Sequence, residues 1–257
     1  MKNNGLGDWR IQAATRLAKD IPAAYLGGPS HKAGTPVYLT TLTRDFKGNY
    51  IGFIAPSPTA LALNIAVNAG KQAINLRRTL AFKDVVTPHG PGKGVADENT
   101  PHLFDYFEQC MITVTFSFQA LETFCNDIIA NNLSGTYRLK RHNNSLEVSA
   151  DELQRIATTE EKLAIVLPDV LGLKSPKGKK VWQNFRELKR VRDTTIHLKS
   201  RDVYNHGNID KESLFYQFFR LKVDKFPKFA FEMINYFTNS EQVPRWFKLA
   251  RPIFMND

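Results

Sequence analysis

From Leu103 to Ile128 the apolar residues recur with a helical period. Leu103, Phe107, Cys110, Met111, Val114, Phe118, Leu121, Cys125 and Ile128 follow one another at three- and four-residue spacing, which predicts a long amphipathic helix starting at residue 101. Such a stripe must be covered by other helices, so a mainly α-helical bundle is expected from here to the C-terminus. Cys110 and Cys125 share this helix, 15 residues apart. That is about 22 Å along its axis, beyond the roughly 7 Å Cα separation of a disulfide. Both are expected to remain buried thiols.

Further signals divide the rest of the chain. WRIQAATRLAKD (9–20) reads as a short helix ended by Ile21-Pro22. VYLTTLT and NYIGFIA flank RDFKG and read as a β-hairpin over 37–54. A helix is expected over 57–83 and a flexible loop over 84–100, whose GPGKG lacks the spacing of a phosphate-binding loop. Downstream, SGTYRLKRHNNS reads as a basic loop, and SADELQRI and TTEEKLAIVL open with helix-start signals. Pro168 and Gly172 are expected to break the chain. A helix follows over 179–199, then a final one over 210–238 kinked at Pro227. A boundary at residue 100 separates an N-terminal extension of unknown role from a helical domain, 101–257.

Composition restricts the function classes. Hydrophobic residues are 42% and charged residues 23%, ordinary globular usage. No apolar run approaches the ~18 residues of a membrane span, and MKNNGLGDWR has no apolar signal core. The expectation is a cytoplasmic protein without a membrane partner. The net charge of +10 is concentrated: residues 174–201 hold ten Lys and Arg against Glu187 and Asp193, a net +8. A local excess of this kind suits a polyanion, nucleic acid first; a solvated helix face is the plain alternative. His31, His89, His102, His142 and His206 are scattered without metal-ligand spacing, so neither metal nor cofactor is expected.

One helix poses the functional question. Projected at 100° per residue, Val181, Phe185, Leu188, Val191 and Thr195 form an apolar stripe, and Arg192 falls inside it. A guanidinium there needs a partner or a polar cleft. It either pairs with a carboxylate of a neighbouring helix or binds phosphate. His197 can exchange protons near neutral pH, and Asp193 lies four residues before it on the same face. Arg192 and His197 are about 140° apart on the wheel. They converge only if the helix loosens near His197 or if a second copy faces the first.

The segment R-D-T-T-I-H, Arg192 to His197, resembles the R-x-x-x-x-H motif of HEPN domains. SFQALETFCNDII (117–129) is similar to an early HEPN helix. EEKLAIVLPDVLG followed by W-x-x-F-x-x-L-x-x-x-R-D-x-x-x-H is similar to the approach to the motif. The resemblance covers roughly residues 101–240. It implies an α-helical bundle that dimerises through its motif helices and, in active members, metal-independent RNA cleavage, often in toxins and antiviral defence. Carried over by position, Arg192 and His197 are the site pair, Asp193 fills the polar position after the arginine, and Glu122 is a helix-borne acid able to meet Arg192.

These observations support an endoribonuclease that uses the RNA 2′-hydroxyl at a composite site in a homodimer, with an antitoxin or other regulatory partner. Substrate phosphates would meet Arg138, Lys140, Arg141, Lys174, Lys177, Lys179, Lys180, Lys189, Arg190 and Lys199. The rival is a non-catalytic HEPN module for RNA binding, sensing or dimerisation. A DNA-binding protein using the basic helix is a third reading.

Overall fold

A computed structural model of the chain describes residues 6–23, 29–141, 144–203, 210–238 and 243–255. The protein is mainly α-helical, with small antiparallel strand pairs. It divides into two compact units, Met1–Leu61 with Ser240–Asp257, and Ala62–Asn239. The division does not follow residue 100. No described helix is long and apolar enough to cross a membrane.

In the smaller unit β1 (Ala14–Arg16) pairs with β2 (Pro36–Tyr38), and β3 (Thr40–Arg44) with β4 (Tyr50–Ile54). The helix expected over 9–20 does not form. Gln12 N–H donates to the Ala55 carbonyl at 2.9 Å and Leu39 N–H to the Ala13 carbonyl at 3.1 Å. A twelve-residue helix is marginal alone, and these long-range ladders take its backbone groups instead. The β3–β4 hairpin follows its sequence signal, and its turn explains why. The Asp45 carboxylate accepts the N–H groups of Lys47 (2.8 Å) and Asn49 (2.9 Å), while Gly48 takes φ 85°, open to glycine at little cost. The tail forms a helix, Arg245–Met255, that buries Trp246, Phe247, Ala250 and Phe254. It is tied within this unit by Arg245, which donates to the carbonyls of Asp8 (2.9 Å) and Leu6 (3.1 Å).

Helix α1 (Pro58–Thr79) starts where Ser57 Oγ accepts the Ala60 N–H, with Pro58 at its first position, and runs into the larger unit. There α2 (Thr100–Asn132) is the central rod. Its stripe is buried at Cys110, Val114, Phe118, Leu121 and Cys125, and both cysteines are free thiols. Around it pack α3 (Ala150–Ile156), α4 (residues 159–171), α5 (Lys180–Ile196) and α8 (Lys225–Phe237). Phe118 stacks on Phe185, which meets Trp182 at 5.0 Å between ring centroids. Each such fully buried side chain contributes about 1.5–3 kcal/mol of transfer free energy. Both helix-start signals are capping boxes, Ser149 with Glu152 and Thr158 with Glu161.

Four expectations for this unit are corrected. Residues 84–100 are not a flexible loop throughout, because β5 (Phe82–Thr87) and β6 (Gly90–Val95) form a hairpin. Its glycines make room: a Cβ on Gly92 would meet Thr87 Cγ2 at 2.8 Å, and one on Gly94 would meet Val85 at 3.0 Å. The basic loop is the hairpin β7 (Tyr137–Arg141) and β8 (Asn144–Val148). Pro168 does not break α4, which passes through a π turn, Lys162–Val166, and ends at Gly172 with φ 65°. Proline removes the donor to the Ala164 carbonyl four residues earlier, and Ser175 Oγ supplies it at 2.7 Å. Finally, 210–238 holds two helices, α7 (Leu214–Arg220) and α8, after the short α6 (Ser200–Val203). Carbonyls at the end of α7 are taken by side chains, Phe218 by Tyr106 Oη (2.6 Å) and Phe219 by Arg77 (2.7 Å). Pro227 sits in the first turn of α8, where its missing N–H has no intrahelical partner to lose.

Candidate functional site on helix α5

Helix α5 buries Phe185, Leu188, Val191 and Thr195 of the expected stripe, together with Trp182 and Asn184, while Val181 is only part-buried. Thr194 and Thr195 satisfy their hydroxyls on the carbonyls four residues back, at 3.0 and 2.9 Å. The helix ends at His197, whose backbone N–H donates to the Asp193 carbonyl at 3.0 Å. The imidazole is exposed.

Arg192 is largely buried, with 24% of its side chain exposed. Its guanidinium carbon lies 3.7 Å from the centre of the Phe118 ring, and Nη1 is 3.0 Å from Asp193 Oδ1. Of the two alternatives, a carboxylate on a neighbouring helix is not found among the described contacts, and the acid that Arg192 meets is the next residue of its own helix. Nε is buried without a hydrogen-bond partner. Arg192 lines a cavity of about 530 Å³ between α2, the α3–α4 junction and α5, together with Glu122, Arg155, Thr158 and Ile196. Glu122 therefore shares the cavity of Arg192 but makes no ion pair with it among the described contacts.

His197 opens elsewhere, into a cleft of about 630 Å³ that also takes in Asp193. Lys189 bridges Asp193 (3.1 Å) and Glu160 (3.6 Å) here. Arg190 donates to Gln217 Oε1 at 2.7 Å, and Glu187 holds Lys225 at 2.9 Å. The Asp202 carboxylate accepts the backbone N–H groups of Lys199 (2.8 Å) and Leu214 (2.6 Å). The acids of the cleft are therefore engaged, while Arg186 and Lys199 have no carboxylate partner among the described residues. One chain does not bring Arg192 and His197 to a common cavity; they face two cavities on either side of α5, as their angular separation requires.

The other basic candidates lie apart from this cleft. Lys174, Lys177, Lys179 and Lys180 are exposed near the start of α5. Lys177 Nζ lies 6.0 Å from the Trp182 ring centre and Lys179 Nζ 5.2 Å from that of Tyr236. Lys180 and His197 are 17 residues apart, about 25 Å along the helix. On β7, Arg138 meets Ser145 at 3.3 Å and Lys140 is exposed. The side chain of Arg141, and His142 and His206, lie outside the described residues. Among the described residues no three His, Cys, Asp or Glu gather as a metal site needs.

Two features were missed from sequence. Arg186, Arg190, Asp193 and His197 recur at i, i+4, i+7 and i+11 and line one cleft, a polar stripe that the same wheel displays. Lys162 is wholly buried in the π turn of α4, donating to Asn126 Oδ1 (2.8 Å) and the Gln154 carbonyl (2.6 Å). Burial pushes its pKa down. Nothing in KLAIVL marks that lysine as internal. Comparison with protein-family models, with curated proteins and with solved structures finds no match to this chain.

Proposed function

We propose that the protein is a HEPN-type, metal-independent endoribonuclease whose site is completed by two copies of the chain. The observation that carries this reading is the α5 stripe. It ends in an exposed imidazole in a cleft whose Arg186 and Lys199 are in no ion pair among the described residues, although Glu160, Glu187, Asp193 and Asp202 line the same cleft. RNA brings its own nucleophile. The 2′-oxygen attacks phosphorus and loses its proton, the P–O5′ bond breaks, and the 5′-oxygen takes up a proton. His197 exchanges these protons, and Arg192 from the second copy faces the charged phosphate, a planar donor suited to that group. Asp193 orients Arg192 through the 3.0 Å contact.

A second reading, a non-catalytic HEPN module for RNA binding or dimerisation, is favoured by one fact: Arg192 and His197 line separate cavities. Cleavage assays separate the two. The nuclease cuts RNA in excess EDTA, leaves a 2′,3′-cyclic phosphate, and spares a linkage carrying a 2′-deoxy substitution. DNA binds with salt-sensitive affinity and is not cut. Cleavage at the deoxy linkage shows another nucleophile, and no cleavage at all favours the module.

A further inference from the structure

The hairpin β3–β4 is bare on both faces. Thr40, Leu42, Arg44, Tyr50, Gly52 and Ile54 share one face, and Thr41, Thr43, Ile51 and Phe53 the other. All ten are exposed, and Leu42 and Tyr50 expose about two thirds of their surface, at 64% and 66%. An isolated two-stranded hairpin is marginal in water, and stability needs three or more strands or a covering element.

Its hydrogen bonds locate the open edge. Asp45 N–H donates to the Asn49 carbonyl at 3.0 Å, and Ala55 N–H to the Leu39 carbonyl at 2.8 Å. Antiparallel ladders alternate, so Ile51 and Phe53 direct their backbone groups to β3, and Tyr50, Gly52 and Ile54 direct theirs outward. Those outward groups have no partner among the described residues. Beyond Ile54 the inward-facing Ala55 carbonyl accepts the Gln12 N–H, on the side away from the open edge. Natural edges are protected by charge, proline or a cover, and YIGFI has neither charge nor proline.

We propose that β4 pairs with β4 of a second copy of this chain, antiparallel about a two-fold axis at Gly52, to form a four-stranded sheet. An isologous contact requires a self-complementary strand, and this one is. Centring on Gly52 pairs all three outward residues, with Tyr50 opposite Ile54 of the second copy and Gly52 opposite its equivalent. On the other face Ile51 meets Phe53. Both are aromatic–β-branched pairs, which stabilise antiparallel ladders. The outer edge of β3 is less suited because Arg44 lies on it, over the Tyr50 ring at 4.3 Å. Taking aromatic and large aliphatic side chains at roughly 200 Å² each, about 500 Å² of apolar surface per copy stands bare on these strands. Edge pairing covers only the flanks of the β4 side chains and leaves Leu42 on β3 outside the seam, so the contact buries well under the roughly 1,200–2,000 Å² of a standard interface, and assembly belongs in the range of tens of micromolar or weaker. A polyanion does not account for the bare strands, since the only cations of the hairpin, Arg44 and Lys47, sit at its turn. A bilayer would first have to accept the Asp45 turn.

The contact is independent of the α5 pairing proposed above, and its test uses no activity readout. In the full chain Gly52→Cys is sterically admissible, because a Cβ there meets only Leu42 at 3.9 Å. Cys110 and Cys125 are wholly buried and do not compete. Under mild oxidation at tens of micromolar, Gly52→Cys forms a disulfide dimer on the order of tenfold faster than Thr41→Cys, which lies one strand further from the axis. Equal rates overturn the proposal. In the unmodified chain, hydrogen exchange of the 49–55 peptide slows as protein concentration rises from about 1 to about 100 μM. Exchange that is independent of concentration, or that slows only on adding RNA or anionic vesicles, overturns it as well.

Discussion

Replacing Arg192 by alanine separates a catalytic guanidinium from a structural one. Three contributions enter. The stack on Phe118, 3.7 Å from the ring centre, is partly desolvated and contributes about 0.5–2 kcal/mol. The Asp193 pair, with 24% and 38% of the side chains exposed, is screened and contributes less than about 1 kcal/mol. Against these stands the buried Nε without a partner, whose desolvation costs about 1–3 kcal/mol. Alanine removes all three, and Asp193 keeps Lys189 at 3.1 Å, so no carboxylate is orphaned. Summed, these ranges centre near zero and allow a loss of at most about 2 kcal/mol, a Tm fall of no more than about 4–8 °C for a unit of this size. On the proposed nuclease reading, RNA cleavage falls by about 10²–10³, the effect of removing one donor from a developing phosphate charge. Arg192→Lys restores charge but not the planar fork, and activity stays low. Thermal melts beside a cleavage assay decide. A Tm loss beyond about 8 °C would make Arg192 a lock on the bundle and refute this accounting.

Three further outcomes follow from the same geometry. If Arg192 of one copy serves His197 of the other, mixing Arg192→Ala with His197→Ala and allowing exchange leaves one intact site in each mixed dimer. Activity then returns to about a quarter of the parent, and no recovery excludes pairing across chains. Ser175→Ala frees the Ala164 carbonyl that Pro168 cannot serve, costing about 1–2 kcal/mol in urea denaturation; an unchanged midpoint refutes the account of the continuous α4. The Cys110 thiol is pushed up to about 12 by burial, above an unfolded value of about 8.5. Its protonated form therefore stabilises the fold fully below the unfolded value and less as pH rises toward 12, so Cys110→Ala flattens the loss of stability between pH 8 and 10. Parallel pH profiles of parent and variant would remove that linkage.

What could be read in advance depended on how local the cause is. The α2 stripe, the two capping boxes and the Asp45–Gly48 turn are set by residues within a few positions of one another, and each forms where its pattern lies. The failures involve partners distant in sequence. Residues 9–20 have helical spacing, but their N–H and carbonyl groups are claimed by residues 39 and 55. Pro168 carries a strong local break signal, overruled by a hydroxyl at Ser175 and a π turn. The alternating glycines of β6 look like a loop until Val85 and Thr87 lie over them.

The candidate site divides in the same way. Helical geometry alone places Arg192 and His197 on different sides of α5, and the structure gives each its own cavity. The wheel also contains the stripe from Arg186 to His197, since a face is a property of one helix. It does not contain Phe118 beneath Arg192, nor the acids Glu160 and Asp202, because those come from other elements. This asymmetry bears on the chemistry. A guanidinium held by stacking and by its own neighbour is positioned before any phosphate arrives, whereas the imidazole at the helix end is exposed and free to meet one. On the proposed nuclease reading, a guanidinium in one cavity and an exposed imidazole in another can act on one phosphate only when two helices α5 are apposed. That makes the geometry of α5 pairing, more than either residue alone, the quantity that separates a nuclease from a binding module.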